Sequence, residues 1–233
     1  MLVQVVNPTA GILEGDQLEL DIGVAAGAAV LVVTPSVSRV FHMRAGEATG
    51  VQRLAVEAGG WLEFLPEPLV PHRASRYRQA TEIDVARGGE LVFADFLTPG
   101  RIARAETWAW SRLKLELSVR VSGELVLRER VDQSGEELKA LAQLAGAEND
   151  VCCFGNFVLV SAALAEGGAW REALESLHGP GAWVGVSALR GNAGAWSLKI
   201  IARDGAEMRR VVGEVRRILS ERLPRMATSL RRV

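Results

Sequence analysis

Alternation of apolar and polar positions governs the first half of the chain. It is cleanest in Leu113-Lys114-Leu115-Glu116-Leu117-Ser118-Val119-Arg120-Val121, where leucines and valines take one face and polar residues the other. That period of two belongs to a half-buried strand. The same reading predicts strands over 2–6, 17–22, 29–34, 51–57, 76–85, 90–96, 107–121 and 124–131. Ser122-Gly123 joins the last two as a short hairpin connection. After Val131 the texture changes. Residues 136–144 and 169–177 read as helices, the latter ended by His178-Gly179-Pro180-Gly181. Residues 151–165 are apolar throughout and fit a buried strand or a helix equally. Two more strands are expected over 183–189 and 196–202. The clearest helix spans 206–223, with Met208, Val211, Val212, Val215, Ile218, Leu219 and Leu223 at amphipathic spacing and Pro224 as its stop.

Three segments of the β-rich half resemble one another: Val24-Ala25-Ala26-Gly27-Ala28-Ala29-Val30, Val56-Glu57-Ala58-Gly59-Gly60-Trp61-Leu62 and Val85-Ala86-Arg87-Gly88-Gly89-Glu90-Leu91. Each is a strand end, a small-residue turn and a new strand. Gly27, Gly59 and Gly88 lie 32 and 29 residues apart. A recurrence of that size is the mark of a layered β stack, although a favourable turn used three times by chance has the same appearance. The expected architecture is therefore mainly β: a β-helix-like layered stack over 1–131, continued over 132–233 by strands with a few helices, in the same domain.

Ahead of the stack lies a backbone-shaped loop, Asn7-Pro8-Thr9-Ala10-Gly11-Ile12-Leu13-Glu14-Gly15-Asp16. Asn-Pro opens a turn, and Gly11 and Gly15 permit backbone angles that a side chain would forbid. The loop delivers one carboxylate, Asp16, to the head of a strand. Taken alone it is a surface hairpin with solvated charges.

The 233 residues carry a net charge of -1, so nothing global points to nucleic acid or an anionic membrane. Hydrophobic content of 48% suffices for a packed core without disulfides. Cys152 and Cys153 are adjacent and supply no disulfide framework, which fits a reducing, cytoplasmic setting. No signal-peptide pattern opens the chain, and no apolar run reaches the roughly 18 residues needed to span a bilayer.

Familiar catalytic patterns are missing from the sequence. It holds no Gly-x-x-x-x-Gly-Lys-Ser/Thr loop and no Gly-x-Ser-x-Gly turn, and His42, His72 and His178 stand far apart. The cysteine pair has apolar flanks and reads as buried packing rather than a soft-metal site. Asp16, Asp95 and Glu129 are carboxylates at or near strand ends, a position that is usually solvated. The residues by themselves favour a binding or scaffolding role over catalysis.

Several segments, in order, resemble the urease accessory protein family UreD (also called UreH). Residues 7–16 resemble its Asn-Pro-x-Gly-Gly-x-x-x-Gly-Asp signature, with Ala10 replacing a glycine. Val33-Thr34-Pro35-Ser36-Val37-Ser38-Arg39-Val40-Phe41 resembles its Thr-Thr-Gln-x-x-Thr-Lys-Val-Tyr segment, without the glutamine. Trp61-Leu62-Glu63-Phe64-Leu65-Pro66-Glu67-Pro68 resembles Leu-Glu-Trp-Leu-Pro-x-Pro, and Gly100-Arg101-Ile102-Ala103-Arg104-Ala105-Glu106 resembles Gly-Arg-x-Ala-x-Gly-Glu. The strand pair opening at Gly123-Glu124-Leu125-Val126-Leu127-Arg128-Glu129-Arg130 matches the paired strands that follow in the family, and Leu223-Pro224-Arg225-Met226 resembles its Pro-Arg-Ile-Trp. The family carries some tens of residues before the Asn-Pro loop where this chain has six, so a divergent member with a short first layer is expected.

The resemblance implies a non-enzymatic maturation factor with a β-helix-like stack. It implies binding to UreF-type and UreG-type accessory proteins and to apo-urease, with no tightly bound cofactor and transient nickel. By motif position the polar lining of the nickel passage would be Asp16, Thr34, Asp95 and Glu129. Weak oxygen ligands suit an ion that must leave again. Two rival functions are a β-helix carbohydrate-active enzyme and a metal-independent interaction scaffold. The 6% aromatic content is thin for the sugar stacking that the first requires.

Overall fold

The computed structural model of the chain describes residues 1–144 and 151–226. Its first half is a coil of strands. A short strand, β1 (Leu2–Gln4), is followed by the 7–16 loop. One turn of the coil then comprises β2 (Gln17–Val24), β3 (Ala29–Val33) and β4 (Ser38–Val40). The next comprises β5 (Ala48–Val56), β6 (Trp61–Leu65) and β7 (Leu69–Pro71). A third holds β8 (Arg76–Val85), β9 (Glu90–Leu97) and the small pair β10 (Gly100–Arg101) and β11 (Glu106–Thr107). The strand β12 (Arg112–Val121) returns through a hairpin into β13 (Glu124–Gln133). Beyond it come α1 (Gly135–Leu144), β14 (Cys153–Val160), α2 (Ala169–Glu175), β15 (Ala182–Ala188), β16 (Ala195–Ala202) and α3 (Gly205–Ser220).

Two sheets face each other. One has five strands in the order β13-β12-β8-β5-β2, and the other runs β1-β3-β6-β9-β14-β16-β15 with β4 and β7 beside it. Strands β2, β5, β8 and β12 are parallel, as are β1, β3, β6 and β9. The registers carry the sequence recurrence directly. Gln17 pairs Thr49 and Thr49 pairs Arg78, while Ala29 pairs Trp61 and Trp61 pairs Glu90, offsets of 32 and 29 residues on both sheets. At each corner a glycine sits at positive φ: Gly27 at 76°, Gly59 at 73° and Gly88 at 78°. Each is the third residue of a β-turn closed by hydrogen bonds from Ala28 to Ala25, Gly60 to Glu57 and Gly89 to Ala86. A residue with a Cβ is disfavoured there, which is why the turn repeats as written.

The antiparallel strands β14, β16 and β15 extend the second sheet from β9, so residues after 150 continue the same layer. The segment that fitted either strand or helix is β14, followed by a short 3₁₀ turn at Ala162–Leu164. The expected single strand over 107–121 is two. Thr107 ends β11, Trp108 takes a left-handed conformation (φ 57°), and β12 begins at Arg112. Trp108 and Trp110 pack with Phe154 in a small core of their own, and that packing outweighs the alternation of the sequence. The strands β4, β6, β7 and β10 were not separated by pattern, being short or continuously apolar.

A second core lies between the outer face of the larger sheet and helices α2 and α3. Asp204 caps α3, its carboxylate accepting from the Ala206 and Glu207 N–H groups at 2.9 and 2.8 Å. Met208, Val211, Val215, Ile218 and Leu219 are buried against the sheet, each contributing roughly 1.5–3 kcal/mol by leaving water. The helix ends at Ser220, short of the expected Leu223, because Pro224 disfavours helical backbone in the residue before it. On the same face the wholly buried Glu63 accepts from Arg216 Nε at 2.7 Å, pinning α3 to β6. Among the described residues no helix is long and apolar enough to cross a membrane.

Candidate functional site

Side chains that point between the two sheets change character along the strands. Nearest the glycine corners they are aliphatic: Val24, Val56, Val85 and Val121 pair across the five-stranded sheet, followed by Ile22, Leu54, Ile83 and Val119. These residues and Val30, Leu62, Leu91 and Val160 fill the space. Two residues further on, the row reads Leu20, Gln52, Thr81, Leu117 and Glu129, and the next holds Leu18, Gly50, Gln79 and Leu115. There the packing opens into a cavity of about 690 Å³. It is lined by residues of every strand of the five-stranded sheet, from β2 to β13. At about 4.8 Å per strand it spans roughly 20 Å across the stack.

The cavity wall is hydrogen-bonded. Tyr77 donates to Gln79 at 3.0 Å, Gln79 donates to Thr81 at 3.3 Å and Thr81 donates to Gln52 at 3.2 Å. Gly50 makes room for this chain, because a Cβ there would strike the Tyr77 hydroxyl. Desolvation pushes the Tyr77 phenol well above its ordinary range, so it stays a neutral donor.

One cluster of ionisable groups faces this space. Asp95 on β9, Asn156 on β14 and Lys199 on β16 are register partners across three neighbouring strands. Glu129 on β13 approaches them from the opposite sheet. Lys199 Nζ donates to Glu129 Oε2 at 2.5 Å and to Asn156 Oδ1 at 2.8 Å, and Asn156 Nδ2 lies 3.4 Å from the same Glu129 oxygen. Burial lifts the Asp95 carboxyl to about 6, with Glu129 adding to the effect while Lys199 and a hydrogen bond from Asn156 oppose it. Asp95 lines the cavity and is half-buried, and a carboxylate so placed is only partly hydrated.

Of the four residues singled out from the sequence, the fold brings Asp95 and Glu129 together and puts Thr34 elsewhere on the cavity wall. The Thr34 hydroxyl accepts from the Glu67 N–H at 2.8 Å. Asp16 is outside the cavity lining, and its carboxylate accepts from the Leu13 N–H at 2.8 Å, closing the loop on itself. That loop is braced by later coil residues. Ile12 bonds Arg39 and Phe41 backbone groups, and the Glu14 carboxylate accepts from the Arg44, Ala45 and Gly46 N–H groups. Gly15 needs its positive φ of 85°, whereas Gly11 serves close approach, since a Cβ there would meet the Arg39 carbonyl and the Phe41 ring.

Sequence reasoning missed Asn156, Lys199, Gln52, Gln79 and Thr81. A signal existed for two of them: Asn156 and Lys199 are polar residues in strands that are otherwise almost wholly apolar. Among the described residues no three of His, Cys, Asp and Glu are placed to hold a metal ion. Cys152 and Cys153 are buried thiols pushed up by burial to about 11 and about 12, which makes them poor ligands and poor nucleophiles near neutral pH.

The model of the UreD urease accessory protein family matches residues 1–233. A protein of Opitutus terrae named urease accessory protein UreD is 56% identical over 233 residues, all of this chain and 84% of its own length. The Deinococcus radiodurans protein of that name is 33% identical over 204 residues, covering 87% of this chain and 70% of its own. Urease accessory protein UreD 2 of Streptomyces griseus is 32% identical over 200 residues, covering 83% and 67%. With a match along its whole length and an identity of 56% to a named member, the chain belongs to the UreD family of urease accessory proteins.

Proposed function

We propose that this urease maturation factor is a non-catalytic scaffold that binds UreF-type and UreG-type accessory proteins and apo-urease in the cytoplasm, and that its inter-sheet cavity passes nickel toward the urease site. The observation that carries the reading is the cavity itself: a space spanning the five-stranded sheet, mostly apolar in its lining but crossed by the Gln79, Thr81 and Gln52 side chains, with Asp95 and Glu129 at one cluster. Two carboxylates and an amide oxygen form a donor set of the right chemistry for a borderline dication held weakly. The cargo ion meets oxygen donors it can leave. Thr34 and the Gln52–Thr81 pair supply further neutral oxygens along the wall. Asp16 supports the opening loop.

Co-expression with the two accessory proteins and apo-urease tests the scaffold: the chain should co-purify with them, and no association with the UreF-type protein would end the maturation-complex reading. Asp95→Asn with Glu129→Gln tests the passage. The pair should leave complex formation intact and lower the nickel content of urease several-fold. Unchanged loading would leave a metal-independent scaffold.

A further inference from the structure

In the cluster at β9, β14, β16 and β13, the place where a metal would contact oxygen is already held by a cation. The Lys199 ammonium lies 2.5 Å from Glu129 Oε2 and 2.8 Å from Asn156 Oδ1. The rest of its strand is uncharged. The inward neighbours along β16 are Ser197 and Ile201, and the flanking Leu198 and Ile200 are buried in the helix-facing core. The Lys199 side chain is nonetheless 48% exposed, so its four-carbon stem has open space to move into. Asp95, one strand beyond Asn156, is the second carboxylate of the cluster, hydrogen-bonded to Asn156 and within electrostatic reach of Lys199.

We propose that Lys199 is a resident counter-ion that gates the cavity: it occupies the Glu129–Asn156 oxygens when no cargo is present and swings away when a divalent cation takes them. The inference rests on the metal-passage reading above and adds selectivity to it. A tethered ammonium competes at a high effective concentration. Na⁺ and K⁺, carrying one charge, gain nothing over it. A dication interacts with the same carboxylates about twice as strongly at equal distance, and among dications a late transition metal outbinds Mg²⁺ at mixed amide and carboxylate oxygens. The displaced ammonium stays covalently attached, so it returns once the ion moves on and the site resets.

Equilibrium titration of NiCl₂ into the full-length protein in KCl buffer tests this. Lys199→Met and Lys199→Gln remove the charge and keep most of the stem. Both should bind Ni²⁺ at least tenfold more tightly than the native chain, and Lys199→Arg should not. Adding Glu129→Gln to Lys199→Met should abolish the gain. MgCl₂ should show a smaller gain than NiCl₂. Circular dichroism and melting temperature identify variants that remain folded. Unchanged or weaker Ni²⁺ binding in both folded neutral variants overturns the gate, as does a gain that survives loss of Glu129. If Asp95→Asn with Glu129→Gln lowers urease nickel while the Lys199 variants bind Ni²⁺ like the native chain, the gate alone fails. If that pair leaves urease nickel unchanged, the passage reading fails.

Discussion

Asp95 shows how a single inward carboxylate couples the cavity to stability. Its ordinary pKa of 3.8 applies in the unfolded chain, and burial lifts it to about 6 in the folded one. The folded state therefore holds this proton more tightly. That preference stabilises the fold fully below about pH 4 and is lost as pH rises through 6. Near neutral pH the ionised Asp95 costs up to about 3 kcal/mol, so Asp95→Asn should raise the urea midpoint at pH 7.5 and give no advantage at pH 3.5. A midpoint difference that does not vary with pH would show that the carboxyl is not desolvated. Glu63 offers the opposite case. Its buried pair with Arg216 is side-chain to side-chain at 2.7 Å, and removing one partner strands a charge in the core. Glu63→Ala should destabilise by about 3–5 kcal/mol in urea unfolding, and a loss below 1 kcal/mol would mean that water reaches the site. Asp95 and Glu129 could be singled out from sequence because carboxylates near strand ends are visible as residue types. Lys199 and Asn156 stand out as polar residues in apolar strands, but their meeting depends on strands 43 residues apart being register partners, and the pairing of Glu63 with Arg216 depends on the docking of a helix 153 residues away.

At the scale of elements, the corners are where sequence and structure correspond most directly. The turn needs positive φ at one residue, only glycine adopts it at little cost, and the coil repeats it at Gly27, Gly59 and Gly88. The recurrence was therefore readable as spacing. A Cβ at Gly59 meets only the Gly27 nitrogen, at an ordinary contact distance of 3.8 Å, so Gly59→Ala should cost only the left-handed backbone penalty, about 1–2 kcal/mol. Gly11→Ala has no such penalty but drives a methyl into the Arg39 carbonyl, and it should cost more by forcing the opening loop off β4. Comparing the two urea midpoints checks this; a larger loss at Gly59 would reverse the assignment of close approach to Gly11. Long alternating strands such as β8 and β12 and the amphipathic α3 were equally legible, since each is fixed by its own period. Strands of two or three residues were not. Their existence depends on partners one coil turn away, as Ser38 on β4 depends on Leu69 on β7. The break at Trp108 had no local sign, because aromatic packing with Trp110 and Phe154 sets it.

For the molecule as a whole, the hollow between the sheets is the feature that neither period nor composition predicts. Close packing is the default of protein interiors, and the rows nearest the glycine corners achieve it with valine, leucine and isoleucine. Two rows away the same strands place Gly50, Gln52, Gln79 and Thr81 inward, and some 690 Å³ remains open. An interior left open in this way forgoes dispersion contacts and burial that aliphatic residues would supply. Cavity-filling substitutions commonly return about 0.5–2 kcal/mol, and they lower function where the space itself is used. Gln52→Leu with Thr81→Val removes both members of a hydrogen-bonded pair at once, and the Gln79 amide that donates to both is left facing the open cavity rather than packed protein. The double variant should raise the melting temperature by a few degrees and still join the accessory complex. On the passage reading it should also reduce nickel delivered to urease, because the Gln52 and Thr81 oxygens midway along the wall are gone. Greater stability with full nickel delivery would remove the cavity from the route. Lower stability would mean that the polar wall is itself part of what holds the two sheets apart.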